Sequence, residues 1–533
     1  MPKKEQDNLT AKQGDSAMFL PSISSFYVNY ISKQRHGEFV KKSRIPFANG
    51  MEGLNFFNEK EGNFTYKWAL YSGGHAVLDV NKSVPGEDMI RKRDRDKTWL
   101  LGDSGGFQIA KGVWDGDWKD PACPKAQKKR RLILEWLEAY MDYSMVLDIP
   151  AWLCNVPGSS EKTGIHSFND AVVGTKYNHD YFMKHRVGVE NGGTKFLNVI
   201  QGENHQDSAN WYSIFKDYCD PMVYPTTHFD GWAFGGQNMC DISLSLKRIV
   251  DFHFDGLLEE GVHDVIHFLG MSKLEWAVVL TTVQRAARKY YNPNLLITFD
   301  AASPFLATAN GRIYTTTNTK HDTKWTYRSE ESIDDVAYTS DTRSYKDAVL
   351  NDGLYAEFDE GPVMSEVKIN DICFYPPGSI NKQGNVAKTS WDTFSYCIQM
   401  GHNVWNHINS VQKANTEYKN GSTPKMLIFD DNIKSVRIED VVDSIFACKT
   451  REEAYAIIED PTMERFWKQI VGSRGNIGKK IQNAKTQYHN IFDAEINTEK
   501  ATQEEVKAVE DAKIALKERN KSNTSETYPT LFG

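Results

Sequence analysis

The chain has 533 residues, of which 40% are hydrophobic and 25% charged, and its net charge is −8. This composition is typical of a globular protein and excludes both a disordered chain and a uniformly basic, histone-like one. The seven cysteines are scattered and none forms a C-x-x-C pair, which argues against a disulfide framework or a four-cysteine zinc cluster. No apolar run approaches the ~20 residues of a membrane span, and no apolar signal segment follows the N-terminus. We therefore expect a reduced, soluble, cytoplasmic protein that does not bind membranes.

Short apolar runs alternate with longer amphipathic stretches through the first 300 residues. The apolar runs predict strands near 18–30 and 68–80 and at 98–101, 145–147, 195–200, 232–234, 265–269 and 295–299. The stretches between them predict helices over 125–143, 206–218, 240–254 and 273–291. This alternation predicts an α/β fold, a (β/α)8 barrel of the TIM type, with a doubly wound open sheet as the alternative.

The pattern changes after residue 311. Residues 311–375 are rich in Thr, Asp and Ser, and the sequence beyond 410 is helical and charged. We expect an amphipathic stretch over 438–457, a solvated Glu- and Lys-rich helix over 501–521 and a tail over 522–533. We therefore divide the chain into a barrel domain with insertions, 1–410, and a charged helical C-terminal extension with its tail, 411–533.

Polar residues and glycines follow the predicted strands at the points where the strands end. In chain order, these strand-end residues are Asp103 with the loop to Gln108, Asp148, Gln201, Gly235 with Gly236, Leu269 and Asp300. The C-terminal strand ends of such a barrel form one rim, where active sites lie. Two carboxylates with different tasks suit glycosidic-bond chemistry, since one attacks the anomeric carbon while the other transfers a proton. The remaining polar groups suit the edge of a purine.

These segments, in this order and approximate spacing, resemble the tRNA-guanine transglycosylase family over about residues 68–312. The most specific segment is the hexapeptide Asp103-Ser-Gly-Gly-Phe-Gln108. The family fold is a (β/α)8 barrel, and its members exchange guanine in a polynucleotide for a 7-deazaguanine. The resemblance implies that Asp300 is the nucleophile and Asp103 the acid–base residue. It also implies a set of base-binding residues: Phe107, Asp148, Gln201, Gly235, Gly236 and Leu269.

The sequence departs from the family at its structural zinc site. Where many members have C-x-C-x2-C, this chain has Cys373 alone. We therefore expect no metal and no cofactor, and a zinc site built from Cys397, His402 and His407 is the less favoured alternative.

A second departure follows the nucleophile. The family segment D-x-x-x-P-T-R-x-G-R-N-G contains two arginines that help to read the tRNA anticodon, and here Leu306 and Ala309 stand in their places. The resemblance therefore favours the branch that modifies DNA, the 7-deazaguanine transglycosylases of phages and bacteria.

The resulting prediction is a pentosyltransferase that exchanges guanine in DNA for a free base such as 7-cyano-7-deazaguanine, through a covalent aspartyl–glycosyl intermediate. The basic residues Arg91, Lys92 and Arg93 are predicted to lie at the rim beside Asp103 and to bind DNA phosphates. Three alternatives stay open: a tRNA-guanine transglycosylase with altered recognition, a non-catalytic nucleic-acid-binding barrel subunit, and a glycoside hydrolase.

Overall fold

A sheet of eight parallel strands forms the centre of the molecule. The computed structural model describes residues 6–156, 158–239, 241–374, 390–431 and 434–470. The strands are β1 Met18–Pro21, β2 Trp68–Ser72, β3 Trp99–Asp103, β4 Tyr143–Met145, β5 Lys195–Ile200, β6 Gly231–Phe234, β7 Val265–Phe268 and β8 Leu296–Ala301. Each of them overlaps or directly adjoins an apolar run of the sequence, so all eight predicted strands are confirmed.

The strands pair in the order β1-β8-β7-β6-β5-β4-β3-β2. A parallel bridge between Ser22, just after β1, and Leu70 of β2 brings the two ends of the sheet together. The Ile23 N–H donates to the Leu70 carbonyl at 2.9 Å across the same junction. The sheet is therefore a nearly closed barrel, as predicted, and the open-sheet alternative is wrong.

Helices surround the barrel on its outside. They are α1 Ser25–Gln34, α2 Asp88–Arg91, α3 Pro124–Tyr140, α4 Phe168–His185, α5 His205–Phe215, α6 Ile242–Phe254, α7 Leu274–Tyr290 and α8 Thr393–Lys419. The four predicted helices are confirmed as α3, α5, α6 and α7, whereas α1, α2, α4 and α8 were not predicted. The run predicted as a strand near 18–30 is a strand only at its start, and its end belongs to α1. Helix α8 packs against α7 and β1 and runs through residue 410, at which we place the domain boundary. Across the described residues, no helix combines the length and the apolar character needed to cross a bilayer.

Shorter elements fill the connections and follow α8. They are the strands Asp7–Asn8, Phe64–Thr65, Arg312–Asn318, Thr326–Glu331, Ile428–Asp431 and Lys434–Arg437, and the helices Leu9–Lys12, Gly106–Ala110, Ser159–Thr163, Ser303–Ala309, Tyr345–Asn351, Gly361–Met364, Ile369–Ile372, Ile438–Phe446, Arg451–Ile458 and Glu464–Ile470. The single stretch predicted over 438–457 is two helices, because Thr450 caps the second one reciprocally with Glu453. The predicted helix 501–521 and tail 522–533 lie outside the described residues, and the division into two domains stays a prediction.

Residues that alternate along the strands fill the barrel interior. Leu70, Leu101, Leu197 and Val265 belong to one packed interior cluster, separate from the core between barrel and helices. Because successive strand side chains point to opposite faces, residues two or four positions further along also point inward. At the C-terminal opening of the barrel, the inward-pointing positions of this alternation are occupied by polar side chains.

Candidate active site at the C-terminal end of the barrel

Asp103 ends β3 and points into the barrel. Its Oδ2 accepts a hydrogen bond of 2.5 Å from the hydroxyl of Ser72, which lies opposite it on β2, and its Oδ1 accepts one of 3.1 Å from the Gly105 N–H. Removal from water raises the pKa of the Asp103 carboxyl. The two hydrogen bonds lower the pKa and the negative charge of Asp300 raises it, with a net shift upward. Asp103 is therefore suited to carry a proton.

Asp300 lies in β8 on the other side of the same interior. Its Oδ1 accepts a hydrogen bond of 2.7 Å from the Gly270 N–H and lies 3.3 Å from Nε2 of the buried His267. Within the described residues, no hydrogen bond reaches Oδ2. One carboxylate oxygen is thus held in place and the other is available to a ligand.

Asp148 and Gln201 form a buried pair beside these two carboxylates. The Gln201 Nε2 donates to Asp148 Oδ2 at 2.7 Å, while the buried Gln201 Oε1 has no partner within the described residues. Burial raises the pKa of Asp148 to about 7, the charge of Asp103 adds to the increase, and the hydrogen bond from Gln201 opposes it. Near neutral pH this carboxyl group is therefore divided between its protonated and ionised forms.

The glycines predicted to expose backbone to a ligand also make room for this pair. A Cβ at Gly235 would lie 2.6 Å from the Gln201 amide nitrogen, and one at Gly236 would lie 2.5 Å from the Gly202 carbonyl and 3.1 Å from Gln201 Oε1. A Cβ at Gly106 would lie 2.6 Å from the carbonyl oxygen of Asp148. A larger residue at Gly235 would displace the Gln201 side chain, and one at Gly236 or Gly106 would collide with the backbone carbonyl of Gly202 or Asp148.

The two residues predicted to cover the faces of a base differ in exposure. Phe107, on the helix Gly106–Ala110, is 37% exposed and makes an edge contact with Trp152, with ring centroids 5.9 Å apart. The Lys111 Nζ lies 4.6 Å from the centre of the Phe107 ring. Leu269, directly after β7, is partly buried against the interior cluster of the barrel. Phe107 thus offers an aromatic surface at the rim and Leu269 an apolar one deeper inside.

Two of the three predicted phosphate-binding residues, Arg91 and Arg93, are buried in contacts with residues other than Asp103. Arg93 has a side chain only 1% exposed, and it bonds to Asp142 at 2.7 Å and to the Tyr140 carbonyl at 3.0 Å, before β4 begins. Arg91 is buried against Glu87, the Val77 carbonyl and Tyr140. Arg93 therefore lies at the N-terminal end of the barrel and not at the rim as predicted, whereas the DNA-binding role of the cluster stays a prediction.

Lys92, the third residue of this cluster, is 64% exposed and pairs with Asp88 at 2.8 Å. The side chains of Arg91 and Arg93 are buried, so Lys92 alone among these three residues has an exposed charge. The three residues therefore do not form a continuous basic surface.

The structure does not bring the zinc-site candidates of α8 together. The His402 Nε2 lies 2.8 Å from the Tyr314 carbonyl, whereas the His407 ring stacks on Phe19 and Tyr327. Burial lowers the pKa of His402 to about 4 and that of His407 to about 3. Within the described residues, no group of three or more His, Cys, Asp or Glu side chains could hold a metal ion.

Sequence reasoning missed the polar residues that surround the two carboxylates. Ser72, His267 and Thr298 each lie two positions from an interior residue or a site residue of the same strand, so the period of two could have placed them inside the barrel. Their partners could not be identified, because the register between strands is not visible in the sequence.

No protein-family model matches the chain, and no curated protein matches it. The resemblance to the transglycosylases therefore stays a prediction, and the function must be inferred from the residues of the site.

Proposed function

We propose that the protein is a DNA-guanine transglycosylase, which exchanges a guanine in DNA for a free 7-deazaguanine base. The observation that carries the proposal is the pair of inward-facing carboxylates at the C-terminal end of the barrel. Asp103 has a raised pKa, while Asp300 has one oxygen held by Gly270 and the other available. Two carboxyl groups in different environments are the arrangement that covalent glycosyl transfer requires.

In the first half-reaction, Asp300 Oδ2 attacks C1′ of the target nucleotide. The C1′–N9 bond breaks, and Asp103 gives its proton to the departing guanine. In the second half-reaction, Asp103 takes the N9 proton of the incoming base, whose nitrogen attacks C1′. The ester bond breaks and its electron pair returns to the Asp300 carboxylate, so both residues regain their starting forms.

Asp148 and Gln201 suit the recognition of the base. Guanine and 7-deazaguanines present two N–H donors side by side, at N1 and the 2-amino group, and an ionised carboxylate accepts both. Asp148 has one oxygen bound to Gln201, and the Gln201 Oε1 has no partner within the described residues. A ligand that satisfies these groups gains more than one that leaves them unpaired, since an unpaired buried polar group costs about 1–3 kcal/mol.

DNA is favoured over tRNA by the segment that follows the nucleophile. The helix Ser303–Ala309 begins two residues after β8, and Leu306 and Ala309 on it are half-buried and uncharged. These positions carry the anticodon-reading arginines in the family that the sequence resembles. A target guanine in duplex DNA must be unstacked, at a cost of a few kcal/mol, so single-stranded DNA should react faster.

The test is base exchange with radiolabelled guanine in three polymers: single-stranded DNA, duplex DNA and tRNA. We expect label in DNA, more in the single strand, and none in tRNA. Asp103→Asn should slow both incorporation and release of label, because neither base then has its proton partner. Asp115→Asn is the matched control, since Asp115 is an exposed carboxylate on the loop after the same strand.

Label in tRNA but not in DNA would assign the protein to the tRNA branch. Binding of a polymer without any exchange would identify a non-catalytic subunit, and either result contradicts the proposal.

A further inference from the structure

His267 is buried in the barrel interior beside the proposed nucleophile. It lies on β7 directly opposite Thr298 of β8, two residues before Asp300. Its Nδ1 is 2.9 Å from the Thr298 hydroxyl oxygen, and its Nε2, which makes no hydrogen bond within the described residues, lies 3.3 Å from Asp300 Oδ1. Both His267 and Thr298 are completely inaccessible to solvent, so these contacts are made without competition from bulk water.

The chemistry of the three groups fixes where the ring proton lies. An ionised carboxylate accepts hydrogen bonds and cannot donate one, so the nitrogen that faces Asp300 must carry the hydrogen. The other nitrogen then accepts, and the Thr298 hydroxyl is the donor that it faces. Thr298 therefore selects the ring form that directs Nε2–H toward Asp300.

We propose that His267 is a positioning residue for Asp300. Its buried Nε2 has no other partner within the described residues and lies 3.3 Å from Oδ1, so it is the donor that joins the Gly270 N–H in holding Oδ1 while Oδ2 faces the anomeric carbon. The inference rests on the proposed transglycosylase function. His267 is not among the strand-end residues predicted from the sequence, so its role is additional to theirs.

The His267 and Gly270 donors are expected to affect the two half-reactions differently. When Oδ2 attacks, the negative charge on Asp300 decreases, so donors to Oδ1 give the transition state little help. When the ester breaks, the charge returns and spreads onto Oδ1, where His267 and Gly270 stabilise it. Loss of the His267 donor should therefore slow discharge of the adduct more than its formation.

The experiment measures the two half-reactions separately on the full-length protein. A single-stranded oligonucleotide with one guanine forms the covalent adduct, which is resolved on a denaturing gel. Excess unlabelled guanine then discharges it. For His267→Phe, which removes both nitrogens but keeps a ring, we expect discharge to be slower by about 10- to 100-fold. Adduct formation at high pH should change less, so that the adduct accumulates.

Two further variants keep the test valid if His267→Phe fails to fold. His267→Gln retains an N–H donor and should recover most of the discharge rate. Thr298→Val removes the hydroxyl while keeping the shape, and should slow discharge less than His267→Phe does. Val199→Ala is the control for lost interior packing, because Val199 belongs to the interior cluster on β5 and is not assigned to the site.

Equal slowing of formation and discharge in His267→Phe, with no recovery in His267→Gln, would overturn the inference. Wild-type rates in His267→Phe would do the same. Failure of the proposed function gives a different result, because the wild-type protein would then form no adduct with any polymer. That result would contradict both proposals.

Discussion

The two ends of the barrel both place aspartates next to strands, but in opposite electrostatic settings. At the N-terminal end, Asp142 precedes β4 and Asp230 precedes β6, and each is paired with a buried arginine. At the C-terminal end, Asp103, Asp148 and Asp300 have no lysine or arginine partner within the described residues. The role of an aspartate beside a strand is therefore decided by the group it pairs with and not by its position.

The N-terminal pairs connect strands to each other. The Asp142 Oδ2 accepts hydrogen bonds from Arg93 at 2.7 Å and from the Leu100 N–H at 2.8 Å. The Asp230 Oδ2 accepts equivalent bonds from Arg186 at 3.0 Å and from the Phe196 N–H at 2.8 Å. Each carboxylate thus joins an arginine to the neighbouring strand, and such satisfied charges stabilise the fold. Without a cation partner, Asp103 and Asp148 have raised pKa values, which suits groups that bind and release protons.

Loss of Asp300 should have the largest effect of any single change at the C-terminal end. In Asp300→Ala we expect base exchange to fall by about 10⁴-fold or more and the covalent adduct to disappear, because a methyl group cannot attack C1′. Stability, measured by urea unfolding, should change little. The matched variant at the other end, Asp142→Asn, should lose stability but retain exchange in its folded fraction. Normal exchange by Asp300→Ala would show that the nucleophile is another residue.

Arg93→Ala tests the N-terminal end. It removes the cation from a pair whose arginine is buried, and we expect the free energy of unfolding to fall by about 3 kcal/mol. Lys92→Ala, at the exposed neighbour, should change it by less than about 0.5 kcal/mol. DNA affinity of the folded proteins should be the same as that of the wild type. A stable Arg93→Ala protein with weakened DNA binding would restore the phosphate-binding role predicted from the sequence.

The raised pKa of Asp148 predicts a pH-dependent affinity for the free base. Only the ionised form accepts both N–H donors, and with a pKa of about 7 that form is lost as the pH falls. The affinity for guanine, measured by calorimetry, should therefore fall by about tenfold between pH 8 and pH 6. Asp148→Asn should bind weakly and without this dependence, whereas Asp115→Asn should retain it. Wild-type affinity that is constant over this range would exclude Asp148 from base binding.

The smallest effect is expected for Ser72→Ala. The Ser72 hydroxyl donates to the ionised form of Asp103, so its removal should raise the pKa of Asp103 further. Asp103 would then stay protonated to higher pH, and the basic limb of the exchange profile should move upward by less than about one pH unit. Ser104→Ala is the control, because the Ser104 hydroxyl donates to the Val146 carbonyl instead. A basic limb that moves downward would contradict the acid–base role of Asp103.

Much of the fold was predictable because its strands are short apolar runs with abrupt polar ends. Helix α4 was not, since its buried face carries Asn178 and His179 beside Ala171 and Phe182, which weakens the apolar period. The strand-end residues of the site were predictable for the same reason as the strands.

The position of Arg93 was not predicted correctly from its distance along the chain to Asp103. The five-residue strand β3 lies between them, and at about 3.3 Å per residue it separates the two ends of the barrel by about 16 Å. Closeness in sequence therefore did not imply closeness in space for Arg93 and Asp103. Partners such as Ser72 and His267 depend on the register between strands, which the sequence does not encode locally.

The junction between β1 and β2 has a consequence for motion within the site. Among the strand contacts described, this junction has a single paired position, Ser22 with Leu70, and the Ile23 N–H bond beside it, whereas every other neighbouring pair shares at least two register positions. Asp300 belongs to the strand beside β1, and Asp103 to the strand beside β2. Local opening requires the least free energy where the fewest backbone bonds must break. We therefore expect the barrel to open most readily between β1 and β2, which would change the separation of the two carboxylates, and amide hydrogen exchange at Ile23 would measure this opening.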